Sequence, residues 1–219
     1  MLRECTEHGY FRGYQCPTCK NKGKFLMNTQ ELESLGRMMA GVLRHFPEKF
    51  TLEMDENGWV DLMEFITALK HRRPEYHWLR QHHINAMVKS DPKGRYQLEN
   101  EKIRATYGHS LDIELDLPTD KIPNKLYYPA TEEEVELLLE TGLKPSDRKM
   151  VHLSKTYEDA EVAGKHRVEK PIILEIDAKK AIKSGAVIKR AGTTVFITKD
   201  IGPDFILKLE DQTEVDKKK

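Results

Sequence analysis

All three cysteines of the chain fall within its first nineteen residues, and this clustering constrains the fold more than any other feature of the sequence. Cys5-x2-His8 and Cys16-x2-Cys19 form two ligand pairs with seven residues between them. Four thiolate and imidazole donors suit tetrahedral Zn²⁺, and a set that fills all four positions is typical of a structural site. We therefore predict a zinc knuckle over residues 1–28. The alternative is three unpaired thiols beside a solvated histidine; an odd number of cysteines argues against a disulfide framework.

The charge balance limits what the protein can bind through its overall field. Lys and Arg together number 36, as do Asp and Glu, so any RNA-binding site has to be a local patch. No run of about eighteen apolar residues is present, which predicts no membrane span and no membrane partner. The first residues are polar and lack the apolar segment of a secretion signal. We expect a monomeric, cytoplasmic protein.

Residues 29–111 combine three helical patterns with a hairpin pattern. Apolar residues at intervals of three and four predict a first helix from Thr29, a second around Phe65 and a third from about Trp78 to Val88. Residues 95–98 and 102–107 flank a turn and predict two paired strands. Three helices closed by a β-hairpin predict a winged-helix lobe.

The acidic, proline-containing stretch 112–124 predicts a linker, and residues 125–212 then alternate strand and helix patterns. Strands are predicted at Leu126–Tyr128, Met150–Leu153, Ile172–Ile176, Ala186–Ile188, Val195–Thr198 and Phe205–Leu209. Helices are predicted at Glu132–Glu140, Tyr157–Gly164 and Ala178–Ser184. Short helices between many strands predict a mixed α+β lobe, and the lysine-rich end, 213–219, is predicted to be frayed. The fold class as a whole is therefore α+β.

Arginine and histidine recur at three places that could handle phosphate. Arg44-His45 ends the first predicted helix, Arg104 lies in the hairpin, and Arg148 and Arg167 flank predicted elements of the second lobe. Guanidinium groups bind phosphate oxygens through paired hydrogen bonds and stay charged at neutral pH. Each also has an ordinary interpretation, since basic residues near helix ends complement the helix dipole and many strand arginines are simply solvated.

An ordered set of short motifs resembles the RNA 2′-phosphotransferase family, whose members are also called tRNA 2′-phosphotransferases. The match covers nearly all of residues 31–210. The motifs are Leu43-Arg44-His45, Asp55-Glu56-Asn57-Gly58-Trp59-Val60, Ile103-Arg104-Ala105-Thr106-Tyr107-Gly108-His109-Ser110, Gly142-Leu143, Val151-His152-Leu153-Ser154 and Val195-Phe196-Ile197-Thr198. The Ile-Arg-Ala…Gly-His-Ser string is the most specific of them.

This resemblance implies a winged-helix RNA lobe, an NAD-binding lobe of ADP-ribosyltransferase type and an active site in the cleft between them. It implies NAD as co-substrate, an RNA with an internal 2′-phosphate as substrate, and a role in tRNA splicing. The phosphate-handling residues it implies are Arg44, His45 and Arg104 with a second-lobe arginine, for which Arg167 and Arg148 both remain candidates. The NAD-contacting residues that we assign are His109, Ser110, Tyr127, Tyr128, His152 and Ser154.

One segment departs from the family pattern. Where the first strand of the NAD-binding lobe typically reads Leu-Tyr-His-Gly-Thr, this chain has Leu126-Tyr127-Tyr128-Pro129-Ala130. Glycine at that place allows close backbone approach to the dinucleotide, and proline has no backbone N–H to donate. The departure leaves open two alternatives to the enzyme: a non-enzymatic nucleic-acid-binding regulator with a ligand-sensing lobe, and a different ADP-ribosyl transfer.

Overall fold

The computed structural model describes residues 1–146 and 148–208. The chain divides into two compact units, Met1–Asp116 and Leu117–Lys219. Both combine helices with antiparallel strands, which confirms a mixed α+β fold. The tail predicted to be frayed, 213–219, lies outside the described residues.

The first unit begins with a three-stranded antiparallel sheet that the sequence did not predict. Its strands are β1 (Leu2–Cys5), β2 (Gly9–Arg12) and β3 (Lys24–Met27), in the order β2-β1-β3. They are four residues long, too short for apolar alternation to stand out. Leu2, Leu26 and Met27 nonetheless lie in the same apolar core as the helices that follow. The N-terminal segment is therefore part of the first unit's core.

Helix α1 (Thr29–Arg44) begins where the sequence predicts it, although its cap is Asn28. Asn28 Oδ1 accepts from the Glu31 amide at 2.8 Å, and a Glu31 carboxylate oxygen accepts from the Asn28 amide at 2.8 Å. This reciprocal capping box satisfies two amides at the helix start. The helix buries one apolar face, which comprises Leu32, Leu35, Met39, Val42 and Leu43.

Helix α2 (Leu62–Arg72) is confirmed, but the predicted start of the third helix was wrong. Helix α3 (Gln81–Lys89) begins three residues after Trp78. A single 3-10 turn at Pro74–Tyr76 precedes it, and the Trp78 ring packs edge-on against His83 with 5.0 Å between ring centroids. Before α3, Trp78 therefore makes this local aromatic contact, while Tyr76 and Leu79 pack into the apolar core of the first unit.

A second antiparallel sheet of the first unit comprises β4 (Val60–Asp61), β5 (Tyr96–Glu99) and β6 (Lys102–Ala105), in the order β4-β6-β5. Asn100 and Glu101 connect β5 to β6 and both have positive φ, 48° and 59°. A two-residue loop with that geometry matches the right-handed twist of the paired strands. It fixes the register, in which Gln97 lies opposite Arg104.

The segment 112–124, which the sequence predicts to be a linker, contains no helix or strand. Its first part is nevertheless packed within the first unit. The Glu114 amide donates to the Glu56 carbonyl at 2.8 Å, and Leu115 is buried. A Cβ added to Gly58 would lie only 2.9 Å from Ile113 Cδ1, so the glycine allows this close approach.

The second unit is built on a six-stranded antiparallel sheet with the order β10-β11-β8-β7-β9-β12. Its strands are β7 (Lys125–Ala130), β8 (Val151–Ser154), β9 (Ile172–Asp177), β10 (Ile188–Arg190), β11 (Val195–Thr198) and β12 (Ile206–Lys208). Its helices are α4 (Glu132–Thr141), α5 (Tyr157–Gly164) and α6 (Ala178–Lys183). Apolar side chains of the sheet, among them Leu126, Leu153, Leu174 and Phe196, form a separate core with residues of α4 and α6.

Three strand predictions in the second unit were shifted. The strand predicted at Met150–Leu153 runs from Val151 to Ser154. The strand predicted at Ala186–Ile188 begins only at Ile188, because the Ala186 amide donates to the Ala181 carbonyl and closes the turn that follows α6. Phe205 lies in a 3-10 turn, so the last strand begins at Ile206, and Leu209 is outside the described residues. Within residues 1–146 and 148–208, no helix combines the length and apolar character needed to cross a membrane.

Candidate active site and metal cluster

The predicted zinc ligands converge at one end of the first sheet. Cys5 Sγ lies 3.5 Å from His8 Nδ1 and 3.6 Å from Cys19 Sγ, and the ligand atoms of Cys5, His8, Cys16 and Cys19 all lie within 4.8 Å of one another. Zn–S bonds of about 2.3 Å in a tetrahedron give ligand–ligand edges of roughly 3.8 Å. The three cysteines are free of disulfides. The spacing of the four donor atoms is therefore compatible with one tetrahedrally coordinated ion.

At two of the three cysteines, Cys5 and Cys16, local hydrogen bonds favour the thiolate form that a metal requires, whereas the pKa of Cys19 is raised. The pKa of Cys5 is lowered to about 6, first by a backbone hydrogen bond from Glu7 and then by the His8 side chain. The pKa of Cys16 is also lowered, chiefly by a backbone hydrogen bond from Cys19. Thiolates, and not thiols, are the metal-binding species.

A buried carboxylate joins the N-terminal sheet to the helices and the hairpin. The Asp91 side chain is fully buried and accepts from Arg95 Nη2 at 2.7 Å and from the Arg95 amide at 2.7 Å. Arg12 of β2 lies 3.6 Å from the same carboxylate and donates to Ser90 Oγ at 3.2 Å. Burial alone would raise the pKa of Asp91, but the Arg95 hydrogen bonds outweigh it and the net shift is downward. The carboxylate is therefore ionised at neutral pH.

Arg44 and His45 lie at the C-terminus of α1, against the segment that follows β6. The Ser110 amide donates to the Arg44 carbonyl at 3.1 Å, and His45 Nδ1 lies 3.0 Å from Ser110 Oγ. Gly108 has φ +83°, and a Cβ there would lie 3.2 Å from Arg44 Nη1. The Gly-His-Ser sequence thus caps the helix end, fixes the orientation of the imidazole and leaves room for the guanidinium.

The Tyr107 ring packs against the Arg44 guanidinium. The Arg44 guanidinium carbon lies 4.9 Å from the centre of the Tyr107 ring, within the range of a cation–π contact. Burial raises the pKa of Tyr107, and the nearby Arg44 opposes that rise. The phenol therefore stays neutral and can serve as a hydrogen-bonding group next to a fixed positive charge.

Arg104 is held from several sides and is only 3% exposed. Its Nε donates to Gln97 Oε1 at 2.8 Å, and its Nη1 donates to the Asn57 carbonyl at 3.1 Å and to the Asp116 carboxylate. The guanidinium carbon lies 4.2 Å from the centre of the Trp59 ring. These contacts fix both the position and the plane of a buried positive charge.

The turn at Asp55–Trp59 contacts both Arg104 and the Gly-His-Ser segment that packs against Arg44. Asp55 Oδ1 accepts from the Trp59 amide at 2.8 Å, which shapes the turn that presents the Asn57 carbonyl to Arg104. A Cβ on Gly58 would lie 3.8 Å from His109 Nε2, so the buried His109 packs on the same turn. A continuous series of contacts within the first unit therefore brings together five predicted residues: Arg44, His45, Arg104, His109 and Ser110.

The predicted NAD-contacting residues of the second unit lie on two faces of its sheet. Tyr127 pairs with Ser154 across β7 and β8, and His152 lies two residues before Ser154. Since side chains alternate along a strand, these three share one face. Tyr128 faces the other way and packs partly buried against the core that contains Leu126. The structure thus groups Tyr127, His152 and Ser154 and separates Tyr128 from them.

The proline of the departing segment has a packing partner. A Cβ added to Gly164, at the end of α5, would lie 2.7 Å from Pro129 Cβ and 2.5 Å from Pro171 Cβ. Helix α5 therefore approaches β7 closely on the face of Pro129. The Tyr157 ring of the same helix lies edge-on to Tyr127 with 6.4 Å between centroids. Pro129 and Tyr127 thus help to seat α5 on the sheet.

The two candidate arginines of the second unit differ in how they are held. Arg167 Nη2 lies 2.5 Å from Glu134 Oε1, and Glu134 also accepts from the Thr131 amide as part of the α4 capping box. The pKa of Arg167 is raised, first by the Glu134 hydrogen bond, and a hydrogen bond with Tyr128 acts in the same direction. Arg148 is exposed, outside any helix or strand.

Sequence reasoning missed the side chains that hold Arg104. Gln97 could have been found, because a two-residue loop in the hairpin fixes it opposite Arg104. Asp116 could not, because it belongs to a stretch without periodicity twelve residues further along the chain. Tyr107 carried no signal beyond its place in a motif.

Comparison with known proteins identifies the family. The model of the RNA 2′-phosphotransferase, Tpt1 / KptA family matches residues 30–200. A "Probable RNA 2′-phosphotransferase" of Methanosarcina mazei is 43% identical over 211 residues, which cover 96% of this chain and all of that protein. A "Probable RNA 2′-phosphotransferase 1" of Archaeoglobus fulgidus is 44% identical over 206 residues, covering 94% and 93%. Its counterpart from Thermoplasma acidophilum is 40% identical over 210 residues, covering 95% and 88%.

The matched segment includes α1, both arginine positions of the first unit and nearly all of the second unit's sheet. The family description and the named relatives support an enzyme of the transferase class. The chain belongs to the RNA 2′-phosphotransferase, Tpt1 / KptA family. The family resemblance predicted from the short motifs is confirmed.

Proposed function

We propose that this protein removes an internal 2′-phosphate from RNA in two NAD-dependent steps. In the first, an oxygen of the RNA 2′-phosphate attacks the anomeric carbon of the nicotinamide riboside, and the carbon–nitrogen bond to nicotinamide breaks. In the second, the 2″-hydroxyl of that ribose attacks phosphorus, and the bond between phosphorus and the RNA 2′-oxygen breaks. The RNA 2′-oxygen takes up the proton that the 2″-hydroxyl loses. The products are nicotinamide, RNA with a 2′-hydroxyl and ADP-ribose 1″,2″-cyclic phosphate.

The observation that carries this proposal is the fixed Arg104 guanidinium in a unit that also holds Arg44 and His45. A preorganised cation stabilises charge that develops on phosphate oxygens without rearrangement during the reaction. The Gln97 and Asn57 contacts set the direction of the Arg104 N–H groups. In the proposed reaction Arg104 therefore binds the 2′-phosphate and orients it as the nucleophile of the first step.

Arg44 and His45 would act on the same phosphate from the end of α1. Arg44 is positioned by Tyr107 and by the room that Gly108 leaves, and His45 is oriented by Ser110. We assign Arg44 a second cationic contact to the phosphate, and His45 a hydrogen bond to a phosphate oxygen. The first step needs positioning more than activation, because the ribose carbon becomes strongly electrophilic as nicotinamide leaves.

For NAD, the sheet face of Tyr127, His152 and Ser154 offers an aromatic ring and two polar side chains, with Tyr157 next to Tyr127. His109 and Ser110 in the first unit remain proposed contacts as well. We propose Arg167 as the second unit's phosphate contact, because Glu134 holds it in place while about half of its side chain remains exposed. Tyr128 is proposed to act through its hydrogen bond with Arg167.

We propose further that the first unit is a winged helix and the second an ADP-ribosyltransferase-like domain. Helices α1, α2 and α3 with the β4-β6-β5 sheet match the element order of a winged helix, with β5 and β6 as the wing. The six-stranded antiparallel sheet with short helices supports the second assignment. The four-residue Cys/His cluster is proposed to hold one structural zinc ion, because its four donors fill a tetrahedron.

The direct test uses a short RNA with one internal 2′-phosphate, incubated with the protein in the presence and absence of NAD. We expect release of the phosphate from RNA only with NAD, together with ADP-ribose 1″,2″-cyclic phosphate and one nicotinamide per phosphate removed. The same RNA without the 2′-phosphate is the control for NAD consumption by another route. No NAD-dependent product from the phosphorylated RNA would defeat the proposal.

A further inference from the structure

Among the contacts of Arg104, the one to Asp116 differs from the others in chemistry and in exposure. Gln97 lies in β5 and the Asn57 carbonyl in a turn, and both are neutral, whereas Asp116, the last residue of the first unit, carries a full negative charge. The Asp116 side chain is 63% exposed, while that of Arg104 is 4% exposed. The carboxylate is thus the water-facing member of the set, and water can reach it while Arg104 stays buried.

The two N–H groups of Nη1 are both committed in this arrangement. One donates to the Asn57 carbonyl and the other to Asp116. A guanidinium has five N–H donors, and a phosphate binds it best through two parallel hydrogen bonds. Nη1 can join such a pair only when the Asp116 carboxylate leaves. An anion that reaches Arg104 through this nitrogen must therefore compete with a covalently tethered anion.

Departure of Asp116 without a replacement is unfavourable, because it leaves a buried positive charge without a counter-ion. Arg104 in turn lowers the pKa of Asp116, so the carboxylate is ionised over the whole neutral range. The exchange is favourable only for an incoming group that brings more negative charge than the carboxylate removes. This requirement distinguishes a phosphomonoester of RNA from the backbone phosphodiesters, because the two differ in negative charge.

We propose that Asp116 is a specificity-determining residue that makes Arg104 selective for a phosphomonoester over the phosphodiesters of the RNA backbone. A phosphodiester carries one negative charge, the same as Asp116, whereas a phosphomonoester carries about 1.5 to 2 near neutral pH. The monoester therefore displaces the carboxylate and the diester does not. The inference rests on the proposed function, since it takes the 2′-phosphate as the ligand of Arg104.

The test compares binding of two RNAs of identical sequence, one with and one without an internal 2′-phosphate, in the absence of NAD. Trp59 lies against Arg104 and supplies an intrinsic fluorescence signal for occupancy of this site, with anisotropy of end-labelled RNA as the second readout. The measured quantity is the dissociation constant of the RNA without the 2′-phosphate divided by that of the RNA with it. Wild-type protein is compared with Asp116→Asn, Asp116→Glu and the matched control Asp112→Asn, which removes the same charge from an exposed position of the same segment.

We expect Asp116→Asn to lower the ratio about tenfold, mainly because RNA without the 2′-phosphate binds more tightly once the competing charge is gone. Asp116→Glu keeps a carboxylate, and Asp112→Asn leaves Arg104 untouched, so both should keep a ratio close to that of the wild type. An unchanged or increased ratio in Asp116→Asn, or an equal change in Asp112→Asn, overturns the proposal. So does a failure of Asp116→Asn to fold, which would make Asp116 a structural counter-ion.

The turnover assay with wild-type protein separates this inference from the function on which it rests. If wild-type protein shows no NAD-dependent loss of the 2′-phosphate, the proposed function fails, whatever the binding ratios are. If wild-type protein turns over and the ratio of Asp116→Asn matches that of the wild type, the function stands and the selectivity role of Asp116 fails.

Discussion

In the first unit, Arg104 has three hydrogen-bond partners and an aromatic ring against its guanidinium; in the second unit, Arg167 has an ion pair with Glu134 and about half of its side chain in solvent. The same contrast holds for the other site residues. Those of the first unit are joined by successive contacts, while the proposed NAD-contacting residues of the second lie on two faces of one sheet. A fixed array suits recognition of a small, highly charged phosphate, and a broad sheet face suits an extended dinucleotide.

The units also differ in what holds them together. The first has the Cys/His cluster, proposed to bind zinc, and the buried Asp91 between two arginines, in addition to its apolar core. In the second, the described residues form a sheet core of aliphatic and aromatic side chains, and their ion pairs to Lys125, Arg167 and Arg190 are at least partly exposed. Loss of the metal should therefore affect the first unit alone.

The largest expected effect follows from removal of a metal ligand by Cys16→Ser. Apparent binding free energies of structural zinc are on the order of 10 kcal/mol, and that energy contributes to folding. Wild-type protein should contain about one zinc per chain, and the variant much less. Trp59 and Trp78 both lie in the first unit, so fluorescence should report its loosening while the circular dichroism of the second unit persists.

Thr18→Ser is the matched control, because Thr18 is exposed between two ligands and is not one of the four donors. It should keep both the zinc and the fluorescence of the wild type. Freshly purified wild-type protein with far less than one zinc per chain would exclude the metal assignment, and simultaneous unfolding of both units would break the comparison.

The next largest effect is expected for Arg104→Ala. Loss of a preorganised charge contact to a reacting group typically reduces kcat by about 10²–10³-fold, roughly 3–4 kcal/mol of transition-state stabilisation. Arg37→Ala is the control, since Arg37 forms an exposed pair with Glu33 on α1. Single-turnover rates at saturating NAD measure the effect, and zinc content checks that the fold is retained. A rate for Arg104→Ala within about twofold of the control would falsify the assignment.

The smallest expected effect distinguishes the two arginines of the second unit. Arg167→Ala should reduce kcat/KM for the phosphorylated RNA by about tenfold, because its partly exposed guanidinium is less preorganised than Arg104. Arg148→Ala should change it less than about twofold. The opposite order would transfer the phosphate-binding role to Arg148. Equal, negligible effects would place the whole phosphate site in the first unit and sharpen the contrast between the units.

Local patterns in the sequence predicted much of the fold. Helical spacing predicted α1 and α2, and the hairpin pattern predicted β5 and β6, because these features depend on neighbouring residues. The N-terminal sheet was missed because each of its strands is only four residues long. The start of α3 was misplaced because Trp78 was counted as part of the apolar face of the helix, whereas it lies before the helix and packs against His83. Tyr128 was grouped with Tyr127, although strand alternation separates neighbouring side chains.

The site could be predicted as a set of residues but not as an arrangement. The ordered motifs indicated Arg44, His45, Arg104, His109 and Ser110, and the structure brings these together. What the sequence could not provide was the counter-ion of Arg104. Asp116 meets Arg104 because the segment after β6 folds back on the Asp55–Trp59 turn, and no local pattern encodes that path.

The contact between Arg12 and the Asp91 region has a consequence for the order in which the chain folds during synthesis. Arg12 and its partner Ser90 are 78 residues apart in the sequence. At about 5–20 residues per second on the ribosome, the first strands wait for several seconds before Asp91 is made. The four proposed metal ligands, by contrast, are complete at residue 19. If they bind zinc as proposed, the metal can bind on the ribosome before the rest of the first unit is made.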